Sequence, residues 1–138
     1  MQYTDMFSLE THDGDETSIS YRIAGNGPPL LLLHGFPQTN MMWHKIAPAL
    51  AERYTVVAAD LRGYGDSGHP ASDAAHAPYS KRAMAADMAG LMRGLGHHSF
   101  MVAGHDRGGR VAHRLARDHG DCAVSYTHLT LPTRRGGG

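Results

Sequence analysis

The sequence has one cysteine, Cys122, so an internal disulfide framework is excluded and a reducing compartment is compatible. Net charge is missing as well: 13 Lys plus Arg balance 13 Asp plus Glu. That balance removes the electrostatic reason to expect nucleic acid or an anionic membrane as partner. The opening stretch MQYTDMFSLETHDGDETS has neither a basic segment nor an apolar centre, so it does not read as a secretory signal. The longest strongly apolar run, residues 30–33, is far short of a bilayer span. Internal repeats and heptads are absent. The expectation is a cytoplasmic protein with no nucleic-acid and no membrane partner. The 138 residues leave room for one domain.

Two residue types are in excess, with 17 glycines and 11 histidines. The histidines invite a metal reading, which their spacing does not support. His97-His98 and the pair His113 and His119 lack the i, i+4 spacing of a paired helical site. No metal and no cofactor is expected. The glycines cluster where apolar runs end.

Two hydrophobic periods alternate along the chain. Residues 7–11 and 18–23 read as strands of a hairpin, with Asp13-Gly14 as turn chemistry. The leucine run 30–33 is apolar on both faces and reads as a fully buried strand; residues 54–59 and 99–103 read the same way. Met42, Ile46 and Leu50 predict a helix over 40–53. Met84, Met88, Leu91, Met92 and Leu95 predict another over 79–95, with Ser80 as N-cap. A third spans 106–119. Between them, residues 61–78 form a long loop rich in Gly, Asp, Pro and Ser. Strands that alternate with helices and are apolar on both faces predict an α/β fold with a mostly parallel sheet and helices on both faces.

The chemistry concentrates in Gly104-His105-Asp106-Arg107-Gly108-Gly109-Arg110, between a buried strand and a helix. Small-x-nucleophile-x-small at that position is the nucleophile-elbow pattern: small residues let strand and helix approach, and the turn lifts one side chain above the sheet. That side chain is Asp106. A carboxylate needs no base to activate it, and a helix N-terminus beside Arg107 favours its ionised form. It suits displacement at saturated carbon through an ester intermediate. The plain alternative is that Asp106 only caps the helix. His34-Gly35-Phe36-Pro37 follows an earlier buried strand, and the backbone N–H groups of Phe36 and Arg107 are the candidate oxyanion hole. The plain alternative there is an ordinary strand-exit turn. His105 either lines the pocket or packs under the elbow. Trp43, Met84 and Met88 read as core.

Together, LLLLHGFPQT (30–39), DLRGYGDSGHP (60–70), YSKRAMAADM (79–88) and GHDRGGRVAHRLARDH (104–119) resemble the N-terminal half of an α/β-hydrolase of the epoxide hydrolase and haloalkane dehalogenase branch. The resemblance covers about residues 6 to 122 and is nearest to haloacetate (fluoroacetate) dehalogenases. Relatives acting on neutral substrates usually place Trp directly after the nucleophile, whereas this chain has Arg107. The resemblance implies that Arg107 and Arg110, on one helical face, clamp a substrate carboxylate. The plain alternative is two solvated arginines. Residues 60–67 read as a structural strand-exit loop whose glycines allow positive φ.

The resemblance also implies an acid and a histidine later in the chain, and a cap domain with the halide pocket. After Asp121 there is no Asp or Glu, and the one later histidine is His128. Residues 124–133, VSYTHLTLPT, resemble a translated sequencing-library adapter, spelled by GTC TCT TAT ACA CAT CTG ACG CTG CCG ACG. The expectation is therefore residues 1–123 as the front of an α/β-hydrolase core and 124–138 as a foreign tail. The cap domain and C-terminal part would be missing. The alternating VSYTHLTL also reads as a strand. The parent is expected to dehalogenate short 2-haloacids, with a small anionic haloacid as its partner molecule and a homodimer as the form suggested for it. An epoxide hydrolase and a non-catalytic relative are the alternatives. The chain by itself is expected not to turn over.

Overall fold

Leu30 and Leu32 face one side of a sheet and Leu31 and Leu33 the other, and all four are buried. A strand with no polar face can sit only in a sheet covered on both sides. The computed structural model describes residues 2–35, 39–68 and 80–129. In it this strand, β3 (Pro29–Leu33), lies between β4 (Thr55–Ala59) and β5 (Phe100–His105). The described strands form one six-stranded sheet in the order β1-β2-β4-β3-β5-β6. β1 (Ser8–Asp13) and β2 (Ser18–Ala24) are the expected antiparallel hairpin, and β2 pairs antiparallel with β4. The pairs β3–β4, β3–β5 and β5–β6 are parallel.

Two apolar layers follow from the alternation. On one face Leu31, Leu33, Val57 and Val102 meet Met84, Met88, Leu91 and Met92 of α3 (Lys81–Gly94) and Val111 and Leu115 of α4 (Arg107–Asp118). On the other, Leu30, Leu32, Val56 and Ala58 meet Tyr3 of the one-turn helix α1 (Tyr3–Met6), Phe7, Trp43 and Ala47. Each fully buried Val, Leu, Phe or Met among them contributes about 1.5–3 kcal/mol by leaving water. Trp43, Met84 and Met88 are thus core. Ser80 caps α3 as expected, its Oγ accepting from the Ala83 N–H at 3.1 Å. No described helix is long and apolar enough to cross a membrane.

The continuous helix expected over 40–53 is corrected. A 3-10 turn at Asn40–Trp43 and a short helix α2 (Ala47–Leu50) replace it. Pro48 is the reason. It has no N–H to give the carbonyl one turn back, so the helix restarts with proline in its first turn. Ile46 consequently turns outward and is exposed. The one-turn helix α1 has no periodicity that sequence reading can detect. The expected loop at 61–78 is described as far as Gly68; its remainder lies outside the described residues. β6 (Ala123–Leu129) pairs with β5 across the expected boundary at residue 123. That pairing is the strand which the alternation allows, and it speaks to β-propensity rather than to origin.

The loop after β4 is tied to α3 by a buried ion pair. Arg62 is 1% exposed and meets Asp87, 8% exposed, in a two-pronged contact, Nε–Oδ2 at 2.7 Å and Nη2–Oδ1 at 2.6 Å. Glu16, on the hairpin side, reaches the same guanidinium at 3.0 Å. Burial pushes the Asp87 carboxyl upward, and the Arg62 fork opposes it. Asp87→Ala is expected to destabilise the protein by roughly 3 kcal/mol, the lower end for a broken buried pair, because Glu16 still faces the guanidinium. The urea midpoint measures it. A change below about 1 kcal/mol contradicts the structural role.

Candidate active site at the strand–helix elbow

β5 ends at His105, Asp106 follows, and α4 starts at Arg107. Asp106 has φ 54° and ψ −117° and is the one non-glycine residue of positive φ among the described residues. Such a conformation costs about 1–3 kcal/mol and persists only when its surroundings over-determine it. The surroundings are backbone. A Cβ on Gly104 would strike the Gly108 backbone, and a Cβ on Gly108 would strike the carbonyls of Leu33 and His34. A Cβ on Gly35 would lie 2.9 Å from the Asp106 Cβ and from His105 Nδ1. Strand β3, its exit loop and the first turn of α4 are therefore in backbone contact, and glycine is the residue that permits it.

The Asp106 side chain makes no capping hydrogen bond with α4 and is exposed. The plain capping role is thereby corrected: the carboxylate is presented, not used. Arg107 opens α4, so its N–H is one of the first-turn groups with no acceptor inside the helix. Phe36, the other expected donor, lies outside the described residues; Gly35, its neighbour, is against Asp106. His105 is half-buried, and its Nδ1 has no hydrogen-bond partner among the described residues. It packs under the β3 exit, next to Gly35.

Arg107 is half-buried and Arg110 exposed. Arg107 Nη1 donates to the Tyr64 hydroxyl at 3.3 Å. Lys81, in the first turn of α3, feels both arginines: burial first, then their positive charges, hold its ammonium below the ordinary lysine value. Three cations thus stand within electrostatic reach of one another where α3 and α4 begin. Lys81 was not singled out by sequence reasoning. Its one available signal was the Ser80 cap, which puts residue 81 at a helix start.

Two buried polar groups fix the loops around the elbow. His34 is wholly buried; its Nε2 accepts from the Leu61 N–H at 2.9 Å, so Nδ1 carries the proton and faces the Gly35 carbonyl at 3.0 Å. Asp60 Oδ1 accepts from the Asn40 N–H at 2.7 Å and from Asn40 Nδ2 at 2.8 Å, and its Oδ2 accepts from the Asp66 N–H at 3.2 Å. Tyr3 extends this network, its hydroxyl donating to Asn40 Oδ1 at 2.8 Å. Gly63 and Gly65 take positive φ in the loop, as expected, and Gly65 passes close against the Asp60 carboxylate. Residues 60–67 are therefore a structural loop with a carboxylate at its centre. A cavity of about 390 Å³ between the β1–β2 turn and α3, lined by Asp13, Glu16, Arg62 and Asp87 among others, shares no residue with the elbow.

A largely parallel sheet that presents one acid on a strained strand–helix turn above its carboxyl edge defines the nucleophile-elbow class of α/β proteins. Residues 28–129 match the family model of the alpha/beta hydrolase fold, and the chain belongs to that family. It is 53% identical over 125 residues to the fluoroacetate dehalogenase of a Burkholderia species, covering 91% of this chain and 41% of that protein. It is 48% identical over 101 residues to the soluble epoxide hydrolase of Corynebacterium sp. (strain C12), covering 73% and 34%. Among solved structures, a protein of Nostoc sp PCC 7120 assigned to the α/β hydrolases superposes with a TM-score of 0.90 at 54% identity, covering 94% of this chain and 44% of that one. The chain spans about two fifths of the length of these relatives.

Burial holds the His34 pKa below the ordinary value of 6.5, against the opposing pull of the Gly35 carbonyl and the Asp60 charge. The unfolded chain takes up a proton near that value and the folded His34 does not. Stability contributed by neutral His34 is therefore complete above about pH 6.5 and lost as pH falls below it. Urea midpoints between pH 8 and pH 5 should drop more steeply for the native sequence than for His34→Gln, whose amide does not titrate. Equal slopes would refute the assignment.

Proposed function

We propose that this segment carries the nucleophile and the carboxylate clamp of a hydrolytic dehalogenase acting on short 2-haloacids. The observation that carries the reading is Asp106, held at positive φ with no capping partner and flanked by Arg107 and Arg110. The identity to a fluoroacetate dehalogenase supports it. In this reading the two guanidinium groups bind the substrate carboxylate and hold the halogen-bearing carbon against Asp106. An Asp106 oxygen attacks that carbon, a carbon–oxygen bond forms, and halide leaves with the electron pair of the broken bond. Water then adds to the Asp106 carbonyl carbon of the ester. The Arg107 and Phe36 N–H groups carry the developing negative charge, and the 2-hydroxyacid leaves with the carboxylate restored. Activation of that water belongs to the acid and histidine implied beyond the nucleophile. We also read residues 124–138 as foreign to the parent, which sequencing the gene past the Cys122 codon tests.

A second reading, epoxide hydrolysis by the same Asp106, is favoured by the Corynebacterium relative. The full-length protein carrying this segment distinguishes the two. Fluoride release from fluoroacetate is expected; diol formation from a neutral epoxide without it supports the second reading. Neither activity points to a non-catalytic member. Asp106→Asn should lower turnover beyond about 10³-fold. Arg110→Met should raise KM for haloacetate about 10- to 100-fold, the effect of one lost charge-assisted contact. An unchanged KM removes Arg110 from the site.

A further inference from the structure

We propose that Tyr64 is a positioning residue for Arg107: its phenol oxygen holds the guanidinium in the orientation that receives a carboxylate. The inference rests on the clamp reading of Arg107 and goes beyond it to a residue in a different loop.

The anchor is rigid because the loop that carries it is pinned at both ends. The Tyr64 N–H bonds the Leu61 carbonyl at 3.0 Å, and the Gly63 N–H bonds the Gly68 carbonyl at 2.8 Å. The Gly68 N–H bonds Ser18 of β2 at 2.8 Å. Ser67 Oγ donates to the Asp60 carbonyl at 2.6 Å and accepts from the Ser20 N–H at 2.8 Å. The Tyr64 ring stands edge-on to His34, centroids 5.2 Å apart at 69°, and His34 is itself fixed by Leu61 and Gly35. The hydroxyl is therefore a fixed point, and Arg107 Nη1 reaches it at 3.3 Å.

A fixed acceptor also acts against the like charges around Arg107. Lys81 and Arg110 carry like charge nearby, and before an anion arrives their repulsion drives long side chains apart toward water. The neutral Tyr64 oxygen opposes that spreading without adding a negative charge that would compete with an anion. Holding the fork in advance removes the ordering that substrate binding would otherwise have to impose. The effect belongs to carboxylate binding and not to the bond-breaking step.

The test is Tyr64→Phe in the full-length protein, which keeps the ring against His34 and removes only the oxygen. KM for fluoroacetate and the Kd of acetate, an unreactive carboxylate, should both rise about 3- to 10-fold, less than the full loss of a charge-assisted hydrogen bond because the guanidinium itself still meets the anion. Turnover number should change less than about 2-fold, and the melting temperature should stay within about 2 °C. Arg107→Lys is measured beside it. If Arg107→Lys weakens acetate binding and Tyr64→Phe does not, the positioning role is overturned while the clamp stands. If neither variant changes acetate binding, the clamp reading fails and the proposal with it. A parallel fall in turnover and melting temperature in Tyr64→Phe would mark a packing role and overturn the proposal.

Discussion

Everything near the site depends on one backbone contact, the approach of the first turn of α4 to the exit of β3. Gly108 lies against the carbonyls of Leu33 and His34, and Gly104 lies against Gly108. No side chain fits between them. That approach fixes the direction in which the chain must turn after β5, and the turn forces Asp106 to φ 54°. The strain at Asp106 is sustained by the apolar layer that β3 and α4 share, because neither can retreat without uncovering Leu31, Leu33, Val111 or Leu115.

The same contact organises the electrostatics. It sets the start of α4 beside the start of α3, which gathers Lys81, Arg107 and Arg110. The loops that surround this positive corner are held by neutral or fully satisfied polar groups, His34 and Asp60. A charged His34 would lose the acceptor that Leu61 uses, so burial and hydrogen bonding agree on the neutral ring. Arg62 differs: its charge is spent on the buried Asp87 and on the more exposed Glu16.

Much of this was legible in the residues. The leucine run announced a sheet covered on both faces, since no other environment accepts a strand without a polar side. Ser80 announced the start of α3. Gly104, Asp106 and Gly108 announced the elbow, because the pattern lists what a tight strand–helix turn requires. Apolar spacing predicts one helix over 40–53, but Pro48, whose missing N–H decides locally what periodicity cannot, divides it. The short helix at Tyr3–Met6 was invisible, since one turn carries no period. Residues 124–129 were read two ways, and a paired strand is the form they take.

The sequence alone determined the layer order, the buried faces of β3 and β4, and the identity of the presented acid. These follow from residue type and local spacing. Only the tertiary structure decided that Asp106 does not cap its helix, that Tyr64 meets Arg107, that Lys81 joins the arginines, and that His34 is a neutral tie between two loops. The last three join residues far apart in the chain across crossover connections. Their chemistry is set by the neighbours that the fold supplies, and spacing along the sequence carries no record of them.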